Sequence, residues 1–330
     1  MTDAEPTVGD LSEGQILRGI LDRLPPSTAP VGPGDDAAVL AVPDGRVVAT
    51  TDTLVHGPDF RLAWSSAEDL GFKSAAVNLA DVAAMGARPI GLLVALAMPD
   101  DTPLSFVRGL ADGLALACAE LAPGCAVEGG DLTVSDTLTI AVTALGSLEG
   151  RTPVRRSGAR VGDAVHVVGE LGVAARGLSV LFDRFVDATG SPVPVTAEAR
   201  AGLTPDDAHG LARQLRPRPP IADALRAADA GATAMMDVSD GLALDAARLA
   251  DASGVTVDLA SDALGDDVAA VMGGGEDHGF LVTFPPDATA VGRRVGTVVE
   301  RADAPVTVDG RPWTGPSGWD PYRDWDAGRG

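Results

Sequence analysis

Strand-like and helix-like segments alternate along this chain, and the alternation runs twice, on either side of a connector rich in Gly, Arg and Pro at 149–162. Residues 46–54 (RVVATTDTL) are β-branched and predict a strand running into a polar end. Residues 66–85 predict a helix, with Glu68 and Asp69 in its first turn and Gly86 as a stop. A strand at 90–97, a helix at 103–121 and a strand at 137–145 complete the first half. Beyond the connector a strand at 164–168 and a helix at 172–182 restart the pattern. A stiff proline-rich bend follows at 215–220 (LRPRPP). Helices at 221–230 and 241–253 and strands at 255–259 and 279–284 end the series. A chain of 330 residues exceeds one ordinary core. The expectation is therefore α/β to α+β architecture in two domains, 1–150 and 151–330.

Charge removes several functions. Lys and Arg number 25 against 47 Asp and Glu, a net charge of −22. So acidic a chain repels nucleic acid and anionic membranes, so neither is an expected partner. Binding phosphate would need a cation. Lys73 is the only lysine and follows Phe72, so the Gly-Lys-Ser/Thr of a P-loop is absent. The protein-kinase motif set and the Gly-x-Ser-x-Gly elbow are missing too. His56, His166, His209 and His278 form no His-Glu-x-x-His pair. Cys118 and Cys125, the only cysteines, suit two reduced thiols rather than a disulfide scaffold. The acidic start lacks a signal-like apolar stretch, and the run at 90–98 is too short to cross a bilayer. A cytoplasmic protein is expected.

What remains is a set of carboxylates beside glycine at the ends of elements. Asp35 and Asp36 follow Gly34, and Asp52 ends a strand after Thr50 and Thr51. Asp131 follows Gly129-Gly130, Asp237 and Asp240 bracket Ser239, and Glu276 and Asp277 follow three glycines. Each alone suits a turn or a helix cap. Asp81 does not: it sits in an apolar helical stretch, 75–85, one turn after Asn78. An ionised carboxylate among such neighbours is costly unless an arginine or a divalent cation compensates. Mg²⁺ prefers oxygen ligands and bridges carboxylates to phosphates, while glycine lets backbone N–H groups approach phosphate oxygens. Phosphoryl transfer needs positioning and charge neutralisation rather than a side-chain nucleophile. The residues thus point to a metal-dependent nucleotide or phosphate enzyme.

In this order the motifs carry a resemblance. They are GDDAAVL (34–40), TTDTLV (50–55), KSAAVNLADVAAMGARP (73–89), GGDLT (129–133), RSGARVGD (156–163), MDVSDGL (236–242) and GGEDH (274–278). The chain resembles the thiamine-monophosphate kinases, within the superfamily of aminoimidazole ribonucleotide synthetase and selenophosphate synthetase. The resemblance implies ATP-dependent, in-line phosphorylation of thiamine monophosphate to thiamine diphosphate with several Mg²⁺ ions. It also implies an N-terminal α/β domain whose sheet pairs with its twin in a homodimer, a C-terminal α+β domain, and ATP in the cleft between them. By motif position, Asp36, Thr50, Thr51, Asp52, Asp81, Asp131, Asp237 and Asp240 correspond to metal ligands. Gly130, Asp131, Arg156 and Ser239 correspond to ATP contacts. Asp59, Glu276 and Tyr322 correspond to thiamine-side contacts, with Trp319 a weaker stacking candidate.

Two positions depart from the family pattern: Asp59 stands where many relatives have histidine, and His278 where tyrosine is commoner. The rival readings are a superfamily enzyme with another phosphate acceptor, and a non-catalytic divalent-cation-binding protein. Residues 1–34 lack the reactive Cys and the lysine of selenophosphate synthetases. A purely structural role would leave Arg156, the GGD motif and Asp81 without a common purpose.

Overall fold

The computed structural model describes residues 5–33 and 37–319. The first half contains α1 (Glu13–Leu21), β1 (Val47–Val55), α2 (Ala67–Ala84), β2 (Arg88–Met98), α3 (Leu104–Leu121), β3 (Val127–Val134) and β4 (Thr139–Ser147). The second contains β5 (Ala164–Val168), α4 (Val173–Arg184), α5 (Ala197–Ala201), α6 (Pro205–Leu215), α7 (Ile221–Asp229), β6 (Ala234–Val238) and α8 (Leu242–Ser253). It continues with β7 (Thr256–Leu259), α9 (Ser261–Leu264), α10 (Val268–Gly273), β8 (Gly279–Phe284), β9 (Arg293–Val299), β10 (Val306–Val308) and β11 (Arg311–Pro312).

Each half builds its own sheet. The first has the order β1-β4-β2-β3, antiparallel except for the parallel β2–β3 pair. The second has the order β11-β10-β7-β9-β5-β8-β6. The mixed α/β expectation holds, and the predicted helices and strands fall within a few residues of their places. Not foreseen were α1, α5, α6, α9, α10, β6 and β9 to β11. Nor was β3, which runs the Gly129-Gly130-Asp131 motif through the interior of a strand rather than a turn.

Helix α2 joins the halves. Ser66 caps it, its hydroxyl accepting from Asp69 N–H while the Asp69 carboxylate accepts from Ser66 N–H. From Asp69 to Ala84 every residue except Asp81 is buried. A helix apolar all round must be covered all round. One side packs on β1, β2 and β4 and on α3; another meets α7 and β6 of the second half. The α2–α3 crossing is close because it is lined with glycine. A Cβ on Gly71 would lie 2.0 Å from Leu110 O, and one on Gly113 2.1 Å from Glu68 O. One continuous core results, running from Phe72, Leu79 and Val82 to Ile221, Met235 and Phe280.

The first sheet is covered on one face only. Leu92, Leu96, Ile140 and Val142 point inward and are buried. The opposite face carries Thr51, Thr53, Leu93 and Ala95, all exposed, and nothing among the described residues packs over it as α2 and α3 do on the inner face. No helix among the described residues is long and apolar enough to cross a membrane. Cys118 and Cys125 are buried free thiols.

Candidate active site

The site assembles where the C-terminal half of α2 faces β1 and the end of β6. Strand parity turns Thr50 and Asp52 toward the helix. Thr50 Oγ1 donates to Asp81 Oδ2 at 2.9 Å, and Asp52 N–H donates to Asn78 Oδ1 at 2.9 Å. Asn78 is itself fixed by donating through Nδ2 to Ser74 O at 2.9 Å. Asp237, at the end of buried β6, comes from the second half. Its Oδ2 lies 3.3 Å from His278 Nδ1. Burial, then the Asp237 and Asp52 carboxylates, push the Asp81 carboxyl up to about 7. Asp52 is raised as well, first by burial, with Asp237 and Asp240 adding to it against the opposing pull of His278. His278 is raised because Asp237 and Glu276 outweigh the lowering effect of its burial. Burial first, and like charges this close second, favour the protonated forms, so a cation bound here would be needed to keep the carboxylates ionised.

Two loops shape the other wall. After β6 the chain turns at Ser239-Asp240-Gly241, and buried Asp245 on α8 holds that turn by accepting from Ser239 and Asp240 N–H. Arg248 bridges Asp245 Oδ1 and Asp240 Oδ2 at 2.7 and 2.6 Å. Loop 274–278 lies alongside, with Glu276 N–H donating to Ser239 O and His278 N–H to Val238 O. Glu276 and His278 both have positive φ, 72° and 53°, a conformation non-glycine residues seldom adopt. Between them Asp277 accepts from Gly172 and Ala174 N–H at the start of α4. That cap anchors the loop. Glu276 meets Lys73 of α2 across the halves and is lowered: the ammonium and His278 overcome the effect of burial. Asp59 accepts from Val55 N–H at 2.7 Å and is raised by burial, with Glu276, Lys73 and Asp52 near enough to be felt.

Not every residue expected at this site reaches it. Register pairs Asp52 with Val142, Val142 with Val94 and Val94 with Gly130, so these four share the helix-facing side of the first sheet. Asp131 pairs with Ala95 and therefore points to the open face, on the edge strand opposite β1. Three inter-strand steps separate the edges by roughly 14 Å. Within one chain Asp131 does not join Asp52 and Asp81. Thr51 also turns its side chain to the open face, donating to Val142 O at 2.9 Å. Only its main chain borders the Asp52 group. Arg156 is exposed, its carbonyl fixed by Ser253 Oγ at 2.8 Å. The main chain of Trp319 reaches the Asp240 turn, its backbone N–H donating to Asp240 O at 2.9 Å. Asp36 and Tyr322 lie outside the described residues. Among the described residues no three of His, Cys, Asp or Glu already stand at metal-ligand spacing. The carboxylates share a neighbourhood rather than a closed shell.

A cavity of about 460 Å³ lies elsewhere, between the starts of α2 and α3, lined among others by His56, Pro99 and Phe106. None of the site residues borders it, so chemistry rather than volume locates the site.

Comparison with known proteins supplies the context. Residues 34–148 match the family described as AIR synthase related protein, N-terminal domain. The thiamine-monophosphate kinase of Mycobacterium tuberculosis is 38% identical over 337 residues, covering 97% of this chain and 95% of that one. That of Corynebacterium glutamicum is 40% identical over 333 residues, covering 95% and 94%. The chain belongs to the thiamine-monophosphate kinase family. A solved structure, AaThiL complexed with AMPPCP and TMP, superposes with a TM-score of 0.71 at 29% identity, over 92% of this chain and 94% of that one. The two-sheet architecture is thus that of the kinase family. The Asp277 cap agrees with the turn-or-cap reading of GGGED, whereas two parts of the site carried no readable sequence signal: the pairing of Lys73 with Glu276 and the Asp245–Arg248 brace. Each joins positions by folding alone or uses a residue type common everywhere. Only the lone lysine marked Lys73 for attention.

Proposed function

We propose that this protein transfers the γ-phosphoryl group of ATP to thiamine monophosphate, giving thiamine diphosphate and ADP. The observation that carries the reading is the meeting of Asp52 and Asp81 from the first half with Asp237 from the second, around a deficit of positive charge. The attacking atom is a terminal phosphate oxygen of thiamine monophosphate. It is already anionic, so no general base is needed, and the lack of a nucleophile motif agrees.

The donor set fits Mg²⁺: all oxygen, acidic, and short of cations. Asp52, Asp81, Asp237, Asp240 and Thr50 would hold it, with Asp36, Asp131 and Thr51 assigned by motif. When bound, Mg²⁺ neutralises charge developing on the transferred group. The protein's own parts do the rest. Thr50 orients the Asp81 carboxylate, and Asn78 fixes the main chain at Asp52, through the bonds given above. Asp245 and Arg248 set the Ser239-Asp240 turn that would face the nucleotide. Gly130, Asp131 and Arg156 serve the phosphate side. Glu276 and Asp59 present negative charge to a thiazolium cation, with Tyr322 or Trp319 supplying an aromatic face.

We further read 1–150 and 151–330 as two domains in a cytoplasmic homodimer whose subunits pair through the open face of the first sheet. That face bears Asp131, and an uncovered sheet face is an expected pairing surface. The test is to incubate the purified protein with ATP, Mg²⁺ and thiamine monophosphate, with thiamine in a parallel reaction. Thiamine diphosphate should form only from the monophosphate. No product, or equal phosphorylation of thiamine, defeats the reading.

A further inference from the structure

Lys73 is the only lysine in a chain that uses 24 arginines everywhere else, and its side chain is 5% exposed. A buried ammonium persists only when it is paired and hydrogen-bonded. Its partners come from outside its own half. Nζ donates to the carbonyl of Gln214, 3.4 Å away in the last turn of α6, where the helix presents its negative end. The same ammonium meets Glu276 Oε2. That oxygen is shut off from solvent, and among the described residues Lys73 is the cation in direct contact with it, while His278 acts on Glu276 through its charge. The remainder of the Glu276 side chain is open, 39% exposed overall. Arginine does not replace lysine in such a place. A flat, wide guanidinium cannot end between a helix terminus and one carboxylate oxygen, whereas a slim stem with a point charge can.

We propose that Lys73 is a positioning residue for substrate selection: from α2 it pins one oxygen of Glu276 and leaves the other face of the carboxylate open to the cationic ring of the acceptor. Backbone conformation supports this, because Glu276 sits at positive φ between a glycine run and the Asp277 anchor. The loop fixes where the side chain starts, and Lys73 fixes where it ends. The same contact ties α6 and loop 274–278 to the first half, so the acceptor pocket forms only when the halves are closed on each other. The inference rests on the kinase reading and on Glu276 lying on the thiamine side.

A double-mutant cycle tests it, using Lys73→Met, Glu276→Gln and the pair together, with melting temperatures to confirm folding. Each single change should raise KM for thiamine monophosphate by about 10- to 100-fold and leave KM for ATP within about twofold. The double variant should be no worse than the poorer single, because both remove one device. It also removes the buried unpaired charge should Lys73→Met fold poorly alone. In ¹⁵N-lysine-labelled protein the single ammonium signal should be protected from exchange, and Glu276→Gln should abolish that protection. Losses that multiply in the double variant, or equal losses for both substrates, overturn the proposal. So does an unprotected ammonium in the unaltered protein. Failure of that protein to make thiamine diphosphate defeats the kinase reading instead, and is told apart by the lysine signal, which does not depend on turnover.

Discussion

The two ends of α2 handle charge in opposite ways. Toward its start every charged group is matched: Arg216 meets Asp69 and also Glu68 at 2.9 Å, and Lys73 meets Glu276. Toward its end Asp81 faces Asp52 and Asp237, and the deficit is severe enough to lift its carboxyl to about 7. Both ends are buried in one core and both contact the second half, so burial does not distinguish them. Compensation does. Matched charges hold the halves together, whereas unmatched ones wait for something the chain does not itself contain.

The comparison breaks first at Asp81. Asp81→Asn keeps volume and removes charge, so turnover with Mg²⁺ should fall on the order of 10³-fold. The folded state should be unharmed: in EDTA the variant should melt at or above the unaltered protein, and Mg²⁺ should raise the melting temperature of the unaltered protein only. Mg²⁺-dependent activity that survives the change would make Asp81 an ordinary core residue. The matched end should show the reverse. Arg216→Met leaves Asp69 buried beside its cap without a cation, which should cost about 2–4 kcal/mol in denaturant unfolding. Both KM values of the folded fraction should change little. A large KM change with no loss of stability would erase the distinction between the two ends.

The smallest effect concerns Asp277, whose carboxyl burial pushes up to about 6 against the bonds from Ala174 and Gly172. Its native pKa lies above its unfolded value of 3.8, so the folded state holds the extra proton between these limits. Its contribution to stability is therefore full below about pH 4 and is lost as pH rises through 6. Asp277→Asn should flatten the stability profile between pH 4 and 7 by at most about 1.4 kcal/mol per pH unit, measured by urea unfolding. The offset from the weakened cap should be the same at every pH. An unchanged slope would mean that the carboxyl titrates normally.

The fold was legible where one periodicity dominates. Helix α2 has a cap, an acidic first turn and a mostly apolar remainder, and β5 is a short valine-rich segment, so both were readable. Strand β3 was not, because two glycines in VEGGDLTV imitate a turn, and only pairing with β2 makes the segment extended. Without the strand its parity is not legible either, so the sequence alone does not show that Asp131 takes the face of the sheet opposite to Asp52. Thr51 is a similar case: neighbouring residues on a strand face opposite ways. Asp81 was identifiable because a carboxylate in an apolar helical segment is conspicuous anywhere, whereas Asp52 and Asp237 were legible only through the motifs TTDTLV and MDVSDGL. Lys73 and Glu276, 203 positions apart, carry no such mark.

Lys73 also has a practical side. Reagents that attack primary amines find one such side chain in the whole polypeptide, and it is sealed in the interior. Gentle coupling chemistry should therefore spare every side chain of the folded enzyme, and a dye found on Lys73 would report that the interior had opened.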